Sequence, residues 1–248
     1  DIDAGLASNS NIPGFYTAHN SEHFDEVIRY AGKLLGIETG DELDIDLKPY
    51  ELYILLVAIR IHDAGNIEGR EEHEKKCFSV LRSCGAASGD DDAEKKLIAN
   101  IAQSHGGRTS SNSKDTISEL QEQDFSGHGY IRSRLIGAIV RFADEICEGR
   151  NRAANYLLNQ RILPRHSEVF HMYASTIKAC VPTKSPSRIT IKYQVQVEHT
   201  ERKWGSTLDI ADDVYLIDEI LDRLEKMDRE RQYCNRFSRE IYTVYCIR

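Results

Sequence analysis

Several stretches of this chain carry apolar residues at helical spacing, and the same face of each stretch ends in a histidine or an aspartate. His23 stands four residues before Val27 and eight before Ala31, and His73 lies in line with Cys77, Val80 and Cys84. His105 follows Ile101 by four residues and Leu97 by eight, while Asp144 follows Val140 by four and Ile136 by eight. The adjacent pair His62–Asp63 closes the apolar run ELYILLVAIRI, so both side chains can reach a site at that helix end. A single histidine on an apolar face is ordinarily a hydrogen-bonded core residue. A buried aspartate is harder to explain, because a carboxylate away from water is costly unless something compensates it. A divalent cation is one compensation, and four or more such residues brought together favour a metal site over coincidence. Mixed imidazole and carboxylate donors suit manganese, iron, nickel, cobalt, zinc or magnesium, so they do not name the ion.

The remaining pattern is mostly helical. Asn20 or Ser21 can cap a first helix bearing Val27, Ile28, Ala31, Leu34 and Leu35, with Gly36 at its end. Pro49 suits the first turn of a second helix, although the composition of ELYILLVAIRI leaves a strand open. Further helices are expected around residues 71–84, 91–104 and 130–148, the last with the stripe Leu135, Ile136, Ile139, Val140 and Ala143. The polar segment GGRTSSNSKDT reads as a surface loop, with a lid as the alternative. Past residue 165 the period changes: Ile189, Ile191, Tyr193, Val195 and Val197 alternate with polar residues, and VFHMYASTIKACV is the expected antiparallel partner across PTKSPS. DDVYLIDEILDRLEKM places Ile217, Ile220, Leu221, Leu224 and Met227 on one face of a long helix. The expected architecture is a flexible lead-in over residues 1–14, a helical core over 15–164, and a C-terminal α+β extension over 165–248, in which a strand pair and a long helix pack on the core.

With 40% hydrophobic and 29% charged residues, a chain of 248 residues falls in the folded globular range. No apolar run approaches the roughly 20 residues of a membrane-spanning helix, and DIDAGLASNSN lacks the features of a signal peptide, so a cytoplasmic location is expected. Six cysteines without a CxxC pair read as reduced core thiols. A formal charge of −8 argues against a broad duplex nucleic-acid surface, but a few local arginines suffice for a small anion.

The order His23, then His62–Asp63 in RIHDAGN, then Asp144 in RFADEICEGR resembles the H…HD…D pattern of HD-superfamily metal-dependent phosphohydrolases, over about residues 15–160. TAHNSEHFDEV, ELYILLVAIRIHDAGN and the ADE…R stretch are similar to the HD branch associated with bacterial Hsp90-like ATPase and conflict systems. The resemblance implies that His23, His62, Asp63 and Asp144 ligate one ion. In two-metal members, extra histidines bind a second ion with the HD aspartate shared, and His73 and His105 sit where such ligands occur. The chain departs from the best-known two-metal pattern, since Gly106 follows His105 and no GYP motif is present. It also lacks the HDxxED motif of guanosine-tetraphosphate hydrolases, because Ile67 and Glu68 follow HDAGN.

The implied activity is hydrolysis of a phosphoester or phosphoanhydride, in a nucleotide or short oligonucleotide, by a metal-activated water. Developing negative charge then needs fixed cations. Arg150 and Arg152 are the first choices, with Arg70, Arg108 and Arg141 also near the ligands in sequence; solvated loop arginines are the alternative. Glu145 is a candidate general base or support for a ligand, with helix pairing as its alternative, and Glu72 is similar. His19 and His128 are weaker candidates for substrate contact, and His166, His171 and His199 receive no role. Two non-enzymatic readings stand beside hydrolysis. One is a regulatory module that binds a nucleotide without turnover. The other is a scaffold for an ATPase partner or a homo-oligomer.

Overall fold

Helix α1 (Ser21–Leu34) buries Val27, Tyr30, Ala31 and Leu34, and Lys33 lies in its last turn. The computed structural model to which it belongs describes residues 21–37, 47–68, 72–84, 91–125, 127–183 and 188–238. The lead-in, Asn20, His19, Arg70 and most of the PTKSPS turn lie outside the described residues. Helix α2 (Pro49–Ile61) has proline in its first turn and buries Ile54, Leu55, Ala58, Ile59 and Ile61, which settles helix over strand for that run. Two 3₁₀ turns follow, Ala64–Glu68 and His73–Lys76, then α3 (Cys77–Cys84) and α4 (Asp91–Gln103). A hairpin of β1 (Gln123–Phe125) and β2 (Gly129–Ile131) leads into α5 (Ser133–Ile146), whose central residues Ile136, Ala138, Ile139, Val140 and Phe142 have no exposed surface.

One buried carboxylate aligns α2 with α5. Glu51, in the first turn of α2, accepts from the Lys48 backbone N–H at 3.0 Å. It also accepts from Arg132 immediately before α5, through the backbone N–H and Nε at 3.0 Å each and Nη2 at 2.7 Å. The two helices therefore start together, and their far ends carry His62–Asp63 and Asp144 to a common place.

The C-terminal part contains α6 (Asn155–Gln160), α7 (Glu168–Thr176), β3 (Ile177–Thr183), β4 (Arg188–Tyr193), α8 (Val197–Thr200), β5 (Lys203–Trp204), β6 (Val214–Tyr215) and α9 (Leu216–Asn235). β3 pairs with β4 and β5 with β6, each pair antiparallel, with Cys180 opposite Ile191. The architecture is mostly α with short antiparallel pairs, as expected, but three local expectations are corrected. VFHMYAS is helix rather than strand, because Val169, Met172 and Tyr173 at helical spacing all bury in a small cluster with Trp204, Leu216 and Ile220. The long strand stops at Tyr193: the next N–H, of Gln194, still donates to Thr176 O, but Thr176 is the last residue of α7, so no strand remains to pair with. The buried face of α9 is Leu216, Ile220, Met227 and Cys234, leaving Ile217 and Leu221 exposed. Cys180, Ile189, Ile191, Met227 and Cys234 join the same core as α1, α2 and α5, so apolar packing runs across residue 164. Cys77, Cys147, Cys180 and Cys234 are buried free thiols, and no described helix is long and apolar enough to cross a membrane.

Candidate metal centre

Five chain segments deliver ligand-type side chains to one spot. His23 comes from the first turn of α1, His62 and Asp63 follow α2, His73 opens a 3₁₀ turn, His105 follows α4, and Asp144 sits in the last turn of α5. Each imidazole is held from behind through Nδ1: His62 by Ile59 O at 2.7 Å and His105 by Ala102 O at 2.6 Å. His23 Nδ1 faces Cys147 Sγ at 3.7 Å, and His73 Nδ1 faces Glu74 Oε2 at 3.4 Å. This fixes ring orientation and leaves Nε2 forward.

The forward atoms form two groups that meet at Asp63. Oδ2 of Asp63 lies 3.6 Å from His62 Nε2 and 3.9 Å from His23 Nε2, and these two nitrogens lie 3.5 and 3.2 Å from Asp144 Oδ1. Oδ1 of Asp63 faces the other way, 3.0 Å from His73 Nε2 and 3.6 Å from His105 Nε2. Donors about 2.1 Å from one ion, at angles of about 90–110°, stand about 3.0–3.4 Å apart. The donor atoms of His23, His62 and Asp144, and separately those of His62, Asp63 and His105, all lie within 4.8 Å of one another.

The residues present therefore fit a divalent cation in chemistry as well as spacing. Buried His62 Nε2 makes no hydrogen bond, being too far from either carboxylate. Burial alone would lower the His62 pKa, but Asp63 and Asp144 outweigh it and raise it to about 9. Burial likewise opposes ionisation of Asp144, yet His62 and His23 hold its carboxyl well below the usual range. Two carboxylates among imidazoles thus create a field that attracts positive charge.

Two glycines make this packing feasible. A Cβ at Gly65, inside HDAGN, would overlap the His73 carbonyl, so glycine lets the two 3₁₀ turns close and brings His73 to Asp63. Gly107 has φ +68, and a Cβ there would strike the Glu74 carboxylate that stands behind His73.

Asp63, His73, His105 and Asp144 form the floor of a cavity of about 560 Å³, with His23 and His62 closing the cluster from the core side. One wall joins α5 to α9 by an antiparallel charge ladder. Arg141 pairs bidentately with Glu230 at 2.7 and 3.0 Å, Glu145 with Lys226 at 2.8 Å, and Glu148 with Arg223 at 3.7 Å. Burial raises the Glu145 pKa to about 6 although Lys226 opposes it. The GGRTSSNSKDT segment forms part of the rim through Gly106, Gly107 and Lys114, and Arg141 Nη1 donates to Lys114 O at 3.2 Å and Thr116 Oγ1 at 2.9 Å.

Not every candidate reaches this place. Arg152 lines the cavity, whereas Arg150 is exposed and does not, because the 3₁₀ turn Arg150–Arg152 directs alternate side chains differently. Arg108 is exposed and donates to Asn112 O at 2.8 Å, and Glu72 is exposed and pairs with Lys75. His128 stacks on Tyr50, away from the cavity lining. The sequence reading passed over His171, which lines the cavity from α7 and accepts from Ala154 N–H at 3.1 Å, as well as Glu74, Arg223, Lys226 and Glu230. Gly65 in HDAGN was a usable signal for close approach of another segment, but nothing local identified its neighbour.

Compared with known proteins, residues 13–226 match the family model HD-CE. No curated protein and no solved structure matches the chain.

Proposed function

From the premise that this chain belongs to the HD-CE family, an HD-type domain family, we propose that it is a metal-dependent hydrolase of a phosphoester or phosphoanhydride bond in a nucleotide or short oligonucleotide. The observation that carries the reading is Asp63 with its two oxygens turned toward two sets of imidazoles, at the floor of a cavity large enough for an organic phosphate. His23, His62, Asp63 and Asp144 would hold one ion, and His73 and His105 with Asp63 a second. A divalent ion bound there would supply a water whose pKa is lowered toward about 7 and would polarise a phosphoryl oxygen.

The chain's own groups do the rest. The rings held through Nδ1 keep their Nε2 atoms in place. Arg152, with a side chain only 12% exposed, offers a fixed positive charge beside the floor for the phosphoryl oxygens. Glu145, with its raised pKa, is placed to accept or return a proton near neutrality. The direct test is metal analysis of the purified chain together with a nucleotide hydrolysis screen in manganese. Chelator-sensitive turnover is the expected result. Stoichiometric metal with no turnover of any nucleotide would favour the regulatory module instead.

A docking role is supported by a different observation. Leu208 and Ile210 are 82% and 72% exposed in the extension, and Leu221 is 58% exposed on α9. An ATPase of the Hsp90-like type, or a second copy of the chain, is the partner this reading proposes. Leu221→Asp should then weaken association without changing metal content.

A further inference from the structure

Away from the cavity, residues 208–225 concentrate both exposed apolar surface and negative charge. Among the described residues, twelve large hydrophobic side chains are left exposed, and five of them, Leu208, Ile210, Tyr215, Ile217 and Leu221, fall in this stretch. The same stretch has seven acidic residues and one basic, a net charge of −6 out of the −8 of the whole chain. Widening it to residues 196–229 takes in ten acidic and five basic residues, a net −5, so neighbouring cations do not cancel it. Single exposed apolar residues need no explanation, but a concentration of them rimmed by polar groups marks an interaction surface.

The fold gives this surface a firm base. The β5–β6 hairpin is tied to α9 through Trp204, which buries in one cluster with Leu216 and Ile220. Ile217 and Leu221 then stand one turn apart on the solvent side of α9, and Asp218 and Asp222 run beside them, also one turn apart and exposed. Two acids of the stretch are matched by arginines: Arg223 Nε donates to Glu219 at 2.7 Å, and Arg165 pairs with Asp213. The exposed acids are held differently. Asp209 accepts from the Ala211 N–H at 2.9 Å and Asp212 from the Thr207 hydroxyl at 3.3 Å, both neutral donors. Among the described residues, Asp218 and Asp222 make no ion pair. Exposed Arg229 stands 3.4 Å from Glu225, and Lys203 lies 5.4 Å from the Tyr215 ring centre; exposed pairs of this kind exchange partners at small cost.

The charge decides between possible occupants. A second copy meeting this face about a two-fold axis would set like charges together, and an anionic lipid surface or a nucleic-acid backbone would be repelled as well. A helix with leucine-like residues along one stripe and lysine or arginine beside it matches both features, since its stripe can cover Ile217 and Leu221 while its cations meet Asp218 and Asp222. We propose that the β5–β6 loop and the outer face of the first half of α9 form a docking surface for a basic amphipathic helix of a different protein. This rests on the docking reading given above and narrows it: the partner presents positive charge, and a second copy is not the occupant.

Two labelled synthetic peptides test this on the full chain by fluorescence anisotropy: an amphipathic helix of leucine and lysine, and its twin with glutamate for lysine. The lysine peptide should bind about tenfold or more tightly than the twin. Leu221→Asp is the decisive variant, because it removes an apolar anchor while adding negative charge. Docking predicts about tenfold weaker binding of the lysine peptide, whereas mere attraction between opposite charges predicts binding as strong or stronger. Asp218→Asn/Asp222→Asn should weaken it about threefold or more, and Asp124→Asn on β1, which removes the same kind of charge elsewhere, should not. Melting temperature controls for folding, and all these changes are at exposed side chains. Equal binding of the two peptides, no binding of either, undiminished binding by Leu221→Asp, or an equal loss in Asp124→Asn overturns the proposal. Sedimentation separates its failure from that of the docking reading. A dimer that Leu221→Asp dissociates, without selective binding of the lysine peptide, keeps a docking face but overturns the basic partner; neither a dimer nor peptide binding removes both.

Discussion

The floor of the cavity and its α9 wall hold charge in different ways. On the floor, the rings of His62 and His105 are fixed by short bonds to backbone carbonyls, and Asp63 is reached from both sides. On the wall, long side chains of α5 and α9 pair across a helix joint, and Glu148 is shared by two arginines at more than hydrogen-bond distance. A short side chain fixed by its neighbours can place a ligand atom within tenths of an ångström, which an ion requires. A long side chain paired through water-accessible charge can change partner, which suits a group that must bind and release substrate.

Asp63→Ala tests the floor most severely, since its two oxygens serve both halves of the cluster. We expect metal content to fall to background and hydrolysis to drop by more than about a hundredfold, beyond the loss typical of residues that only support ligands. Melting temperature should change little, because the variant removes a buried carboxylate together with the charge it attracts. Metal analysis, calorimetric melting and the manganese assay on one preparation decide this. Retained metal with full activity would show that Asp63 does not join the two halves.

Arg141→Ala tests the wall. It leaves Glu230 without its bidentate partner and detaches the loop at Lys114 and Thr116 from α5. Breaking a largely buried pair from one side costs about 3–5 kcal/mol. Urea unfolding should register most of that, with Arg141→Met/Glu230→Met recovering part because no lone charge remains. Metal content should hold. If the ion were lost as well, floor and wall would be one cooperative unit and the contrast between them would fail.

How far each region could be read from sequence follows from the same contrast. His23, His105 and Asp144 were legible because each extends an apolar helical stripe, so burial of the stripe predicts the position of its last residue. His62–Asp63 was legible as the end of a run too apolar to face water. The wall was opaque, since Arg223, Lys226 and Glu230 on a long helix look like any solvated face until α5 supplies Glu145 for Lys226 and Arg141 for Glu230, and the residues just past α5 bring Glu148 to Arg223. Arg150 and Arg152 are equivalent in sequence, and only the turn determines which of them points inward. VFHMYAS was misread because its apolar residues satisfy a strand about as well as a helix; the cluster with Trp204 and Leu216 decides.

The Glu51 joint sharpens the comparison from the far ends of α2 and α5. Its side chain has no exposed surface, and burial, which would raise its pKa, is outweighed by the bonds from Arg132 and Lys48, which lower it from the ordinary 4.5. A carboxyl whose folded pKa is depressed contributes stability that is complete above its unfolded pKa and is lost as pH falls through the folded value. Wild-type stability should therefore decline below pH 4.5, and Glu51→Gln should remove this residue's share of that decline while lowering stability at neutral pH. Thermal melts between neutral pH and acid measure both. An unchanged acid slope in Glu51→Gln would mean that other carboxylates carry the acid sensitivity.

The smallest effect is expected outside both regions. His128 sits in the turn between β1 and β2, with its ring 3.7 Å from that of Tyr50 at 10°, and it does not line the cavity. The stack is exposed on the His128 side, so removing it forfeits some ring contact without opening a hole. His128→Ala should lower stability by about 1 kcal/mol or less and leave metal content and manganese-dependent hydrolysis unchanged. Its value lies in the boundary it draws: every histidine that approaches Asp63 is a candidate ligand, and His128 is the described histidine of the helical core that does not. A large loss of hydrolysis in this variant, at preserved melting temperature, would mean that the β1–β2 turn reaches the substrate, and the cavity would have to be redrawn to include Tyr50 and Phe125.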